Sequence, residues 1–192
     1  MKKESVIASI ARTPIGSFQG TLSTVPAVRL GATAISGALE RAGINSEDVD
    51  EVIMGNVLPA GLGQAPARQA ALGAGLLKSV ECLTINKMCG SGLKAVMLAA
   101  QTIQTGNAEV VIAGGMENMS NSPHLAHIRG GVKFGAGEMI DHMQHDGLTC
   151  PFEGWGMGNA AEWIAEEYSI SREQQDEFAA TSHQRAAKSA KE

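Results

Sequence analysis

Ile85-Asn86-Lys87-Met88-Cys89-Gly90-Ser91-Gly92-Leu93-Lys94-Ala95 is the stretch that decides the fold. Before it, residues 80–85 read as a short strand. After it, Leu93, Val96, Ala100 and Ile103 recur on one helical face, and Gly106-Asn107 supplies a stop. The segment therefore turns from strand to helix with a thiol at the turn, and its glycines allow close backbone approach. A helix N-terminus presents unpaired N–H groups and the positive end of the peptide dipoles, which favour thiolate, the nucleophilic form of cysteine. The same N–H groups can hold an oxyanion. A buried structural cysteine is the other reading of the turn taken alone.

Outward from this turn, strand and helix signals alternate, which is the signature of a layered α/β domain. Residues 5–11 read as a strand. Val28, Ala32, Ile35, Leu39 and Ala42 form one apolar helical stripe that Gly43 ends. Residues 52–57 return as a strand, and residues 64–76 form an Ala-rich helix with Pro66 near its start, where a missing N–H costs least. Residues 109–113 are apolar after the first and read as a central strand covered on both faces. Near Ser120 the composition shifts to His, Gly, Met and Asn, which predicts a domain boundary there. Residues 124–129 and 132–134, separated by Gly130-Gly131, predict a hairpin. Residues 158–168 read as a helix. Ser171 with Gln174 forms a capping box that opens a last helix, running to Glu192 without a stop signal.

Composition narrows the function classes. The 192 residues carry 15 Lys plus Arg against 20 Asp plus Glu, a formal charge of -5 that argues against a general nucleic-acid surface. Three cysteines, Cys82, Cys89 and Cys150, form no CxxC pair and read as reduced thiols in a cytoplasmic compartment. No apolar run approaches the roughly 18 to 20 residues that a bilayer span requires, so no membrane partner is expected. His124 with His127 and His142 with His145 have i, i+3 spacing, but no cysteine or carboxylate cluster completes a metal site, and none is expected. Gly135-Ala136-Gly137 and Gly156-Met157-Gly158 follow no strong strand and open no dinucleotide-binding unit.

The residues around Cys89 resemble the thiolase family, and within it the acetoacetyl-CoA thiolases of the biosynthetic type, whose Asn-x-x-Cys-Gly-Ser-Gly carries the acyl-accepting cysteine. Arg12-Thr13-Pro14-Ile15-Gly16, Gly55-Asn56-Val57, Gly114-Gly115-Met116-Glu117-Asn118-Met119-Ser120 and Ser122-Pro123-His124 follow in family order. So do Arg129-Gly130-Gly131-Val132-Lys133, Asp146-Gly147-Leu148-Thr149 and Gly158-Asn159-Ala160-Ala161-Glu162. The resemblance implies a layered α/β/α core with a mixed sheet over residues 1–119, itself incomplete. Residues 120–192 would then be part of a loop-rich excursion with an oligomerisation hairpin.

The resemblance also implies chemistry. Cys89 would take an acetyl group from a thioester, its backbone N–H sharing in the oxyanion hole, and a second acetyl-CoA would attack the acyl-enzyme to give acetoacetyl-CoA. No bound cofactor is implied, because coenzyme A thioesters are themselves the substrates. The activating histidine, the second catalytic cysteine and an Asn-Glu-Ala-Phe segment belong to the later half of the family sequence, and none of these motifs occurs here. A C-terminal half or complementary subunit is the implied partner, with assembly as a dimer of dimers. Cys82 and Cys150 lack the Cys-x-Gly-Gly context and read as structural or incidental. Leu148 and Met157 are expected to line the substrate pocket, and Gly156 stands where biosynthetic members usually carry a histidine. Arg129 and Lys133 are expected near the phosphates of coenzyme A. A thiolase of longer acyl preference and a noncatalytic acyl-CoA-binding module are the competing readings.

Overall fold

Strand β1, Glu51–Gly55, forms the middle of a three-stranded parallel sheet with β2, Glu81–Ile85, and β3, Val111–Gly115, on either side. The computed structural model describes residues 4–191. Val52, Ile53 and Met54 are 0%, 1% and 2% exposed, so both faces of β1 are covered. Alternation along the strand sorts them into two cores. Val52 and Met54 join Ala27 and Ile35 of helix α1, Ala27–Ala42, and Ala67, Ala70 and Ala71 of helix α2, Pro66–Gly73. Ile53 faces the other way, onto Ala95 and Ala99 of helix α3, Ser91–Thr105. Small side chains at these contacts let the layers approach closely, and the result is an α/β/α stack.

The expected α/β class holds, and the described strands of this sheet are all parallel rather than mixed. The central strand is β1, whereas the sequence predicts that role for residues 109–113. The start of β3 also lies later than the sequence suggests: the Asp50 carboxylate accepts the amides of Glu109 and Val110, and the paired register begins at Val111. The helix ends follow the sequence, with Gly43 closing α1 and Gly106 closing α3, both in the left-handed region.

Two expectations fail for lack of a partner. Residues 5–11 form no strand, since no neighbouring strand within the described residues offers them a ladder. They lie along α1 instead, where Ser9 Oγ donates to the Ala38 carbonyl and Arg41 donates to that of Ile10. Their Val6, Ile7 and Ile10 are exposed. The hairpin around Gly130-Gly131 is also absent. Strand β4, His124–Leu125, pairs antiparallel with β5, Ile140–Asp141, and Gly130-Gly131 is only a turn inside the long connection between them. The large apolar residues of that connection, Ile128, Val132, Phe134 and Met139, are all exposed, Phe134 fully.

The chain divides after Gly147 into two compact units. Residues 120–147 stay with the first, held by the Ser120 hydroxyl, which accepts the Gln19 amide, and by the Pro123 carbonyl, which accepts that of His142. A six-residue π-helix, Met143–Leu148, follows β5 and was not legible as such. The second unit has a Thr149–Gly156 bridge, helix α4, Met157–Glu167, and helix α5, Arg172–Ser189. Ser171 and Gln174 cap α5 reciprocally as predicted, and the helix spans Arg172–Ser189, while Glu192, to which the sequence extends it, lies outside the described residues.

Candidate active site

The carboxyl ends of the three parallel strands are level, with Gly55 opposite both Ile85 and Gly115. In open parallel sheets that edge is where ligands bind. The turn from β2 to α3 crosses it. Ser91 shapes the turn: its hydroxyl accepts the Lys87 amide at 3.0 Å and donates to the Lys87 carbonyl at 2.9 Å. The Gly90 amide donates to the same carbonyl at 2.8 Å, which leaves Cys89 at the apex. Cys89 is exposed and has φ +56°, a left-handed conformation that non-glycine residues rarely adopt. Such strain persists where the surroundings overdetermine it, and it collects at reactive positions.

What overdetermines it is the contact between the start of α3 and the strand ends. A Cβ on Gly55 would lie 2.4 Å from that of Ser91, and one on Gly115 would lie 3.4 Å from the Gly92 Cα. No side chain at Gly90 caps α3, and its first turn carries no carboxylate. The first-turn N–H groups and the helix dipole are therefore available to an anion beside Cys89.

Behind the strand ends lies a polar network whose residues had only been landmarks. Glu117 follows β3 and accepts the Asn56 amide group at 2.7 Å and the backbone amides of Val57 and Leu58 at 2.8 Å and 3.2 Å. Burial raises the Glu117 carboxyl above its ordinary range, against the lowering effect of those amides and of His142. Asn118 donates to the carbonyls of Leu22, Ser23 and Val25, pinning the loop before α1. Sequence reasoning missed these roles. The signal was the density of Asn and Glu immediately after two strands, where backbone groups leave the ladder and need side-chain partners.

Leu148, Gly156 and Met157 belong to the second unit, whereas Cys89 belongs to the first. The Thr149–Gly156 bridge brings Leu148 and Gly156 together: a Cβ on Gly156 would meet the Leu148 carbonyl oxygen at 3.9 Å and Asn159 Oδ1 at 3.7 Å, so a side chain has room there. Met157 opens α4 and is partly exposed. Arg129 and Lys133 sit exposed in the connection between β4 and β5. Cys82 is half-buried beside the guanidinium of Arg68. Cys150 differs from Cys82: the backbone amides of Glu153 and then Phe152 pull its thiol below the ordinary range, helped by the Trp155 side chain. No group of three or more metal-ligating side chains converges among the described residues.

Comparison with known proteins agrees with the resemblance in the motifs. Residues 5–192 match the family described as thiolase, N-terminal domain. An acetyl-CoA acetyltransferase from Escherichia coli is 56% identical over 187 residues, which are 96% of this chain and 48% of that protein. A mitochondrial acetyl-CoA acetyltransferase B from Xenopus laevis is 57% identical over 183 residues, 95% of this chain and 43% of that one. A crystal structure of a thiolase from Ascaris suum in complex with coenzyme A superposes with a TM-score of 0.91 at 42% identity, covering 96% of this chain and 48% of that chain. The chain thus spans about half the length of these relatives, and with its domain match running from residue 5 to residue 192 it belongs to the thiolase family.

Proposed function

We propose that this chain is the nucleophile-bearing part of an acetyl-CoA C-acetyltransferase, and the observation that carries the proposal is Cys89 held in a left-handed turn at the uncapped start of α3. The Cys89 thiolate attacks the thioester carbonyl, the oxyanion is met by N–H groups of the turn, and the C–S bond to coenzyme A breaks. Coenzyme A thiol leaves with a proton, and an acetyl-Cys89 thioester remains. Carbon–carbon bond formation then needs a base that removes a methyl proton from a second acetyl-CoA. General-base assistance of that kind is typically worth about 10² to 10⁴-fold. The histidine and second cysteine of the family lie outside this stretch, so the reading assigns that step to a C-terminal half or complementary subunit.

The substrates are coenzyme A thioesters, and the proposed chemistry calls on no other cofactor. Leu148 and Met157 contribute to the acyl pocket, and Arg129 with Lys133 offsets the coenzyme A phosphates. The assembled enzyme is a homo-oligomer, a dimer of dimers, in the cytoplasm. The missing side chain at Gly156, where a Cβ would make only ordinary contacts, favours a second reading in which the acyl group is larger than acetyl. In the completed enzyme, Gly156→His then narrows the acyl range, and unchanged relative rates on acetoacetyl-CoA and a longer 3-ketoacyl-CoA eliminate that reading.

The test of the main proposal is intact-mass detection of an acetyl adduct after mixing the chain with acetyl-CoA, with and without the complementary half. The adduct maps to Cys89, and Cys89→Ala abolishes both the adduct and the acetoacetyl-CoA cleavage that the complementary half restores. Cys82→Ala and Cys150→Ala retain both. Cleavage that survives Cys89→Ala refutes the assignment.

A further inference from the structure

Asn56, the first residue after β1, is bonded to the ends of both neighbouring strands. Its backbone amide donates to the carbonyl of Ile85, the last residue of β2, at 3.0 Å. Its side-chain amide donates to the Met116 carbonyl at 3.2 Å and to Glu117 Oε1 at 2.7 Å, on the segment that follows β3. The residue is 2% exposed, and its Oδ1 is buried with no hydrogen-bond partner. A flipped amide would set Oδ1 against two acceptors, so Met116 and Glu117 impose the donor orientation.

Glu117 carries the same clamp two residues further. Oε1 also accepts the Leu58 amide at 3.2 Å, and Oε2 accepts that of Val57 at 2.8 Å. All three groups bound to its two oxygens are N–H donors, which suits a carboxylate. A glutamine would turn its own N–H group onto one of those donors. A buried N–H left without an acceptor is costly, so residues 56–58 would move to find another.

The segment held in this way is bonded to the place where the nucleophile's turn begins. The Val57 carbonyl accepts the Asn86 side-chain amide at 3.4 Å, and Asn86 joins the end of β2 to residues 87–90, which carry Cys89. Ile85 and Asn86 are therefore bonded to Asn56 and Val57 respectively. We propose that Glu117 is a positioning residue for Cys89: its carboxylate sets residues 56–58, and these set the departure of the turn through Ile85 and Asn86. The inference rests on the acetyl-acceptor role given to Cys89 above. Cys89 is held at φ +56°, and a shift of so constrained a turn redirects its thiol and the N–H groups beside it together. Misplacing a reacting group by about 1 Å can cost about 10²-fold in rate even when the change lies far from the chemistry.

The test is the rate of acetyl-adduct formation on Cys89, read by quenched intact mass across acetyl-CoA concentrations, in the chain assembled with its complementary half. Glu117→Gln is expected to lower the saturating rate by about 10- to 100-fold and to leave the half-saturating concentration unchanged, because orientation rather than binding is lost. Asn86→Ala lowers the same rate, and the two substitutions together lose no more than Glu117→Gln alone, since one path carries both effects. Ser120→Ala, which removes a bond between the same segment and the Gln19 amide, leaves the rate as it is. An unchanged saturating rate in Glu117→Gln or in Asn86→Ala overturns the proposal. So do losses that multiply in the double variant, or an equal loss in Ser120→Ala. If Glu117→Gln does not fold, Asn86→Ala decides, because its side chain is exposed. If the wild-type protein forms no adduct, the acetyltransferase reading fails by itself, and the amide and Cβ chemical shifts of Cys89 decide the clamp. They move in both variants if the clamp positions Cys89, and unmoved shifts overturn it.

Discussion

Three thiols in one chain meet three different environments, and reactivity follows the environment rather than the residue type. Cys82 packs in β2 against Arg68, Cys89 stands exposed at the apex of a turn, and Cys150 is drawn below the ordinary thiol range by the amides of Glu153 and Phe152. The thiolate is the reacting form, so a lowered range means that alkylation begins at lower pH. Iodoacetamide labelling followed by peptide mass analysis is expected to modify Cys150 and Cys89 well ahead of Cys82. The Cys150 rate should level off at a lower pH than that of a free thiol. Cys89→Ala should leave the Cys150 rate unchanged, which separates a merely reactive thiol from the acyl acceptor. The φ of +56° at Cys89 gives a second expectation. Left-handed backbone costs a non-glycine residue about 1–2 kcal/mol, so Cys89→Gly should raise stability by about 1 kcal/mol in urea unfolding while abolishing acetylation. A destabilised Cys89→Gly would mean that the turn is not strained.

At the scale of elements, the position of α3 is set by the strand ends it leans on. Gly55 of β1 faces Ser91, and any side chain there drives a Cβ to 2.4 Å from another. Gly55→Ala is therefore expected to push the start of α3 away, with a loss of about 1–3 kcal/mol, the range for overpacking a close contact. Acetylation of Cys89 should slow in the same variant because the turn moves with the helix. Equal stability and equal acetylation of the Ala variant would show that this contact does not position the nucleophile. The β4–β5 pair gives the opposite lesson. It is two residues long on each side, too short for the ladder alone to hold it, and the Pro123 carbonyl adds a bond from the His142 amide beside it.

For the molecule as a whole, the uncovered apolar surface sets the expectation. On α3, Leu93 is 71% exposed and Met97 51%, while β2 leaves Leu83 open at the sheet edge. Residues 4–17 add Val6, Ile7, Ile10 and Ile15, all exposed along a segment without a ladder. Surface of this kind on one chain marks an interface or an aggregation hazard. Sedimentation of the 192-residue chain alone is therefore expected to show association rather than a stable monomer, and a complementary half should both suppress that association and raise the melting temperature. A monomeric chain with a sharp, cooperative melt would contradict this.

Helix positions, helix stops and the strand-to-helix turn at Cys89 were readable from residues 85–95 and from the 3.6-residue periods around them, because those signals are local. The thiolase motifs carried the family for the same reason: each is a short run whose chemistry depends on its own neighbours. Residues 5–11 show where local reading ends. Their alternation suits a strand, but a strand exists only when another supplies its hydrogen bonds, and no partner for them lies among the described residues. The centrality of β1 was hidden for a related reason, since three consecutive apolar residues do not reveal how many layers cover them. Glu117 and Asn56 are far apart in the chain, and what each does depends on the contact between them. The sequence alone therefore determined the α/β class and the nucleophile's turn. Only tertiary packing decided which strand is central, which segment goes unpaired and which amides the buried Glu117 carboxylate receives, because burial and hydrogen-bond pairing are properties of neighbours in space.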